Sequence, residues 1–177
     1  IILNKILRNP TRIGFYSALY QMGAGMDCLD QWNEAGEWIG KLNVFHQPLS
    51  GISVTKNDVP GLIDELPIIA ILATQAEGKT KVHGAEELRV KECDRIHAVC
   101  TNMKRMGADI YELKDGFIID GPTQLKGAEI ETFHDHRIAM TFTIAGLVAD
   151  GDVVLDDSEC ISISYPEFYD ELVRLKQ

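Results

Sequence analysis

The sequence predicts an α/β fold of repeated βαβαββ units, with apolar helices running parallel inside a casing of sheets. Three observations predict it. The stretch NPTRIGFYSALYQMGAGMDCLDQWNEAGEWIG resembles KECDRIHAVCTNMKRMGADIYELKDGFIIDG further on, each reading as helix, then MGA, then two strands. A second pair, IDELPIIAILATQAEGKTKVHG and HDHRIAMTFTIAGLVADGDVVLDD, reads as an apolar helix ending at AEG or ADG before a β-branched strand. The helices of this second pair are apolar nearly all round, so they have no solvent face and belong inside a layer of other elements.

Residues 1–45 read as the tail of one unit: the strand-like IILNKIL, a helix striped by Phe15, Leu19 and Met22, then two strands. Residues 50–121 read as a complete unit, whose second helix carries Ile96, Val99, Cys100 and Met103 at i, i+3, i+4 and i+7. Residues 127–177 read as most of a third unit that lacks its final strands. The glycines of the two MGA segments suit helix C-termini, and Pro, Gly and polar residues mark the joins at Gln47-Pro48-Leu49-Ser50 and Gly121-Pro122-Thr123. No linker-like stretch separates the units, so 1–177 is expected to form a single compact lobe.

Composition narrows the functions available. Hydrophobic residues make up 45% of the chain, enough for a core. Seventeen Lys and Arg against twenty-seven Asp and Glu give a net charge of −10, which disfavours nucleic acid and anionic membrane as partners. Any bound anion must then be held by a local basic cluster. The longest apolar runs, IIAILA at 68–73 and the stretch from Ile138 to Asp150, are too short to cross a bilayer and are expected to be core. Cys28, Cys93, Cys100 and Cys160 are scattered without metal-ligand spacing, which suits reduced thiols in a cytoplasm. The opening residues do not read as a signal peptide and no Met begins the chain, so a piece of a longer protein is expected.

The charged residues cluster at three helix starts. Asp64 in LIDELP reads as an N-cap, with Pro67 tolerated in the first turn. Lys91, Glu92 and Arg95 read as the first turn of the next helix, and Thr132 with Asp135 has capping-box spacing, followed at once by His136 and Arg137. Each residue taken alone has a plain structural reading: Asp64 a cap, His136 a satisfied structural histidine, Glu86 and Glu87 solvated. Together they do not, because Lys91, Arg95 and Arg137 sit where helix dipoles repel cations. If the helices run parallel, their starts converge, and the cations form a phosphate or carboxylate site with Glu92 oriented by Arg95 three residues on. The two histidines of HDHR have no third ligand at suitable spacing, so no metal is expected. Cys93, flanked by Glu92 and Asp94, is expected to have a raised pKa and no nucleophilic role.

The motifs LIDELP, GAEELRVKECDR, HDHRIAM and SYPEFYDEL, in this order, resemble the C-terminal part of the 5-enolpyruvylshikimate-3-phosphate synthase family, and NPTRIGF followed by MGA fits an earlier portion of the same half. The resemblance covers essentially the whole chain. It implies a transferase of the shikimate pathway, in aromatic amino acid biosynthesis, with two lobes, each of three βαβαββ units of the inside-out α/β barrel type. This chain would then be most of one lobe, catalytically inactive without the N-terminal lobe. The implied reaction moves the enolpyruvyl group of phosphoenolpyruvate to the 5-hydroxyl of shikimate 3-phosphate and releases phosphate, with no cofactor.

Residue by residue, the resemblance implies that Asp64 binds the shikimate hydroxyls and takes the 5-hydroxyl proton. It makes Lys91 the lysine near both substrates and Glu92 the acid that protonates the methylene. Arg95 and Arg137 clamp phosphoenolpyruvate, with His136 beside them. One departure stands out: many members carry Lys where Ile163 stands here, with Ser164 the nearest polar substitute. Two alternatives stay open, a non-catalytic anion-binding module that keeps the fold and the sibling UDP-N-acetylglucosamine enolpyruvyl transferase.

Overall fold

The structure, a computed structural model, describes residues 1–175. Strand β1 (Ile2–Leu7), helix α1 (Gly14–Gln21) and the hairpin β2 (Gly25–Glu34) to β3 (Glu37–Phe45) come first. Their sheet is antiparallel, in the order β1-β3-β2. Ala35 and Gly36 turn the hairpin at φ 53° and 89°, the left-handed pair that matches strand twist. The stripe on α1 is only partly covered: Ala18 and Met22 are buried, while Phe15 and Leu19 are half-buried.

The middle of the chain runs strand, helix, strand, helix, strand, strand. The first strand is split into two short pieces, β4 (Leu49–Ser50) and β5 (Ser53–Val54), both parallel to β6 (Ala76–Val82). The split occurs at Gly51, whose backbone passes so close to Lys79 that an added Cβ would lie 2.4 Å from its carbonyl oxygen. Helix α2 (Leu66–Thr74) crosses over between these strands, and every residue in it except Ile68 and Leu72 is buried. Helix α3 (Arg95–Arg105) follows, with Ile96, Val99, Cys100 and Met103 all buried and Lys104 and Arg105 facing out. Strands β7 (Asp109–Leu113) and β8 (Gly116–Gly121) close the sheet, β8 pairing antiparallel with β6.

The last stretch pairs β9 (Lys126–Ile130) in parallel with β10 (Asp150–Leu155), with α4 (His136–Ala145) as the crossover. A 3-10 turn, Glu159–Ile163, packs Cys160 and Ile161 against Ala139 of α4, and α5 (Phe168–Leu175) ends the described residues. One continuous cluster of buried side chains runs from Ala18 and Met22 through α2, α3 and β8 to Phe142 and Ala145.

The two MGA segments end their helices in the same way. Gly23 and Gly107 stand at φ 83° and 85°. Ala24 N–H donates to Leu19 O and Gly23 N–H to Tyr20 O, as Ala108 N–H does to Met103 O and Gly107 N–H to Lys104 O. This is the Schellman pattern, which closes the last turn through a left-handed glycine.

Two expectations need correction. Helix α4 is not enclosed all round, because Arg137, Met140, Thr143 and Ile144 are only half-buried, and the apolar run beyond it is not core. The helix stops at Ala145, so Leu147 and Val148 fall in the exit loop, 44% and 40% exposed. No described helix is long and apolar enough to cross a membrane. Phe142 is fully buried where α4 faces the shared core. Phe142→Ala is therefore expected to destabilise the protein by about 3–5 kcal/mol, read as a lower urea midpoint.

Candidate functional site

The charged residues of the three helix starts meet at Asp64. Its Oδ1 lies 3.6 Å from Lys91 Nζ and 3.3 Å from Arg95 Nη1, and its Oδ2 lies 3.4 Å from Arg137 Nη2. Arg137 Nη1 also donates to the Asp64 carbonyl at 3.3 Å. Three cations from two segments, residues 91–95 and the start of α4, thus converge on a carboxylate from a third.

The local structures that bring them together differ from those expected. Asp64 does not cap α2: it lies in the 3-10 turn Ile63–Glu65, Glu65 occupies the N-cap position, and Pro67 stands in the first turn. With the turn already wound before the helix, the Asp64 carboxylate is free of capping and faces the cations. Lys91 and Glu92 are not helical. Helix α3 begins only at Arg95, capped by Asp94, whose Oδ1 accepts from His97 N–H at 3.0 Å. Lys91 (φ −78°, ψ −155°) is extended, so it reaches Asp64 from the turn before the helix and not from a helix face shared with Arg95.

Thr132 and Asp135 form no capping box. Asp135 is itself the N-cap of α4, accepting from Arg137 N–H at 2.8 Å and Ile138 N–H at 3.3 Å. Thr132 instead gives its N–H and hydroxyl to Asp156 Oδ1 at 2.8 and 2.7 Å. Between them, Phe133 and His134 both sit in the left-handed region, at φ 56° and 54°, which disfavours side chains other than glycine. His134 is held there by Asp157 Oδ2, 2.8 Å from its Nδ1.

Arg95 is the centre of the arrangement. Only 1% of its side chain is exposed, and its Nε donates to Asp135 Oδ2 at 2.8 Å, with Nη2 to Glu92 Oε2 at 2.6 Å. Burial works against its charge, but the Asp135 hydrogen bond and the charges of Asp135, Glu92 and Asp64 outweigh it and hold its pKa above the ordinary arginine value. Asp135 shows the complementary balance. Burial pushes its pKa up, yet the Arg95 contact and the N–H groups of Arg137 and Ile138 hold it below the usual carboxylate range.

Glu92, about half exposed, and Lys91, about a third exposed, flank this buried pair on the open side. His136 begins α4 half-buried beside Arg137. Cys93 has its pKa pushed up to about 12, first by burial and then by Asp135, with its sequence neighbour Asp94 adding a smaller push. Ile163 ends the Glu159–Ile163 turn with 78% of its surface exposed, and Ser164 follows it.

Two contributors escaped sequence reasoning. The spacing of Asp135 from Thr132 points only to a capping box, although a buried arginine requires a carboxylate and an Asp before HR is a natural cap. Glu65 stands 3.9 Å from Arg137 and 4.0 Å from Arg12 and forms the outer rim. Nothing in the sequence pairs it with either. Beside the cluster lies a hollow of about 170 Å³ lined by Asp64, Glu65, Ile68, Arg137, Met140, Thr141 and Ile144. Larger hollows, of about 550 and 430 Å³, lie along α1 without a convergence of cations, and one of about 600 Å³ is lined by Lys56, His83 and Lys114 with Glu86 and Asp115 among them.

The sequence model of EPSP synthase (3-phosphoshikimate 1-carboxyvinyltransferase) matches residues 1–172. The chain belongs to this family. Among curated members, a 3-phosphoshikimate 1-carboxyvinyltransferase of Sulfurihydrogenibium sp. is 45% identical over the whole chain, and that of Aquifex aeolicus is 43% identical over 99% of it. The chain spans 41% of the length of each of these relatives. A solved EPSP synthase of Acinetobacter baumannii superposes with a TM-score of 0.93 at 39% identity, over 98% of this chain and 41% of that one. The enolpyruvyl transferase NikO from Streptomyces tendae shares the fold at a TM-score of 0.67 and 21% identity, over 92% of this chain and 34% of its own. The EPSP synthase fold thus agrees with the α/β class read from the sequence.

Removing the Asp135 charge would strand a buried guanidinium. Asp135→Asn is expected to cost about 3–5 kcal/mol at neutral pH. Because the folded pKa of Asp135 is depressed, the stabilisation is complete above the unfolded value of about 3.9 and is lost as pH falls through the folded one. Urea titrations at a series of pH values should show the gap between wild type and variant narrowing below about pH 4.

Proposed function

We propose that this chain supplies one lobe of an enzyme that transfers the enolpyruvyl group of phosphoenolpyruvate to the 5-hydroxyl of shikimate 3-phosphate. The observation that carries the reading is the meeting of Lys91, Arg95 and Arg137 at Asp64, with Glu92 on Arg95. The name carried by the curated relatives supports it. Three cations about a single focus suit two anionic substrates brought side by side. The adjoining hollow of about 170 Å³ is smaller than the roughly 300–1,000 Å³ of ordinary ligand sites. Residues outside this chain would therefore complete the site, in keeping with the 41% of the relatives' length that it spans.

In this reading Glu92 protonates the methylene carbon of phosphoenolpyruvate, leaving positive charge on the adjacent carbon. Asp64 accepts the proton of the 5-hydroxyl as its oxygen forms the new C–O bond there, giving a tetrahedral intermediate. Glu92, now a carboxylate, then takes back a methyl proton as the C–O bond to phosphate breaks, which restores the double bond. Lys91 lies between the two substrates, and Arg95 and Arg137, with His136 beside them, hold the phosphoenolpyruvate anions. The chemistry asks for no metal or organic cofactor. The four free cysteines among the described residues suit a cytoplasmic enzyme.

The test is phosphate release by the whole protein of which this chain is part, with phosphoenolpyruvate and either shikimate 3-phosphate or UDP-N-acetylglucosamine as acceptor. Turnover with shikimate 3-phosphate alone is expected. Turnover with the nucleotide sugar alone would assign the chain to the sibling reaction. Glu92→Gln is expected to lower kcat by about 10²–10⁴-fold with little change in the urea midpoint, as removal of a general acid should. Arg95 is too deeply paired with Asp135 to be removed cleanly, so Arg137→Ala is the better test of the clamp. It should raise KM for phosphoenolpyruvate about tenfold or more, the loss of one charged hydrogen bond of about 1.5–3 kcal/mol.

A further inference from the structure

Segment RVKECDR carries two residues of the proposed reaction, Lys91 and Glu92, on backbone that nothing regular supports. They lie between the 3-10 turn Glu86–Val90 and the start of α3 at Arg95. No backbone–backbone hydrogen bond involves Lys91, Glu92 or Cys93 among the described residues. Val90 beside them is 81% exposed, and of the three only Cys93 packs against the core, its thiol 3.5 Å from Asp135 Oδ2. Cys93 anchors the middle of the segment on its inner side, but the exposed residues before it need a second hold if Glu92 is to stay at a defined place on Arg95.

Arg89, the first residue of the segment, makes no contact with the cation cluster. Its guanidinium turns the other way and spends its donors on the β7–β8 turn and on Asp94. Nε donates to Lys114 O at 2.7 Å, Nη2 to Leu113 O at 2.7 Å and to Glu112 Oε1 at 3.0 Å, and Nη1 to Asp94 Oδ2 at 2.7 Å. The other oxygen of Asp94 caps α3 through His97 N–H. Arg89 thus grips both ends of the five-residue span from 90 to 94, its own end directly and the far end through Asp94. The turn it grips is itself anchored: Asp115 accepts from Gly84 N–H at 2.8 Å with its side chain and from Ala85 N–H at 2.8 Å with its carbonyl. A planar fork with five N–H groups can serve four acceptors in fixed directions, whereas a lysine ammonium has three donors at a single point.

We propose that Arg89 is a positioning residue for the proton transfer, holding the 90–94 turn so that Glu92 stays at the reacting carbon. The inference rests on the role given to Glu92 above. Proton transfer requires heavy atoms about 2.6–3.2 Å apart, so a shift of about 1 Å is severe for Glu92. The attraction of Lys91 for an anion falls off only as the inverse of distance and tolerates the same shift. Loss of the clamp should therefore appear in kcat and hardly in KM.

The experiment uses the whole protein with phosphoenolpyruvate and shikimate 3-phosphate, measuring kcat, both KM values and the urea midpoint of Arg89→Lys, Glu112→Gln and Glu92→Gln. Arg89→Lys is expected to lower kcat by about 10–100-fold while each KM changes less than about threefold. Glu112→Gln leaves Arg89 with its bonds to Asp94, Leu113 O and Lys114 O, removes one charged acceptor, and is expected to lower kcat severalfold with the same split. A lower urea midpoint with wild-type kcat per folded enzyme in both variants would show a mere structural staple and overturn the proposal. A rise in KM without a fall in kcat would overturn it as well. If Glu92→Gln alone turns over like wild type, the role of Glu92 fails and the clamp proposal falls with it; if only the Arg89 and Glu112 variants keep wild-type kcat, the role of Glu92 stands and the clamp alone is wrong.

Discussion

The arrangement of the site depends on the contact between Arg95 and Asp135, two opposite charges buried at the junction of α3 and α4. An uncompensated charge in that position would be prohibitive, so neither residue can be buried without the other. Asp135 is further fixed by the first N–H groups of α4, which gives its negative charge the favourable end of the helix dipole. Arg95 has donors left over, and these reach outward to Glu92 and Asp64. The pair therefore does two things at once. It locks two helix starts together, and it turns a core contact into a directed edge of positive charge.

What the sequence reveals here is periodic, and what it conceals is long-range. The stripe Ile96, Val99, Cys100, Met103 and the near-uniform apolarity of Leu66–Thr74 report burial directly, because a helix repeats its faces every few residues. Gly23 and Gly107 mark helix ends for an equally local reason. Helix beginnings are less legible. Charged residues before α3 look like a first turn, but there the side chains are used for tertiary ion pairs and the backbone stays extended at Lys91. Asp64 looks like a cap because the Pro67 signal is real, yet the intervening 3-10 turn moves the cap position by one residue to Glu65. Convergence of charge could be anticipated from the repeat, since like units place like ends together. The identity of each partner could not, because Arg95 meets Asp135 forty residues on and Arg137 meets Asp64 seventy-three residues back.

The repeated units differ where they have chemistry to carry. Both MGA helices close through the same glycine geometry, and each is followed by an antiparallel hairpin. Their beginnings have diverged. Helix α1 starts at Gly14 without a side-chain cap and stands with a half-covered stripe, whereas α3 starts at a capped arginine enclosed by carboxylates. The scaffold is shared and the helix N-termini are individual, which is where anion chemistry is most readily placed.

Asp64 occupies the focus of three cations, the position that an incoming phosphate or carboxylate would take. A tethered carboxylate of this kind acts as a resident competitor whose local concentration no dissolved monovalent ion matches. Chloride or acetate can engage one cation at a time and leaves Asp64 in possession of the others. In the proposed reaction a substrate anion would have to share Lys91, Arg95 and Arg137 with Asp64, and only one that engages several of them together could do so. Under the proposed function, discrimination against the salts of the cell would thus come from an acidic residue, through the threshold it sets for entry.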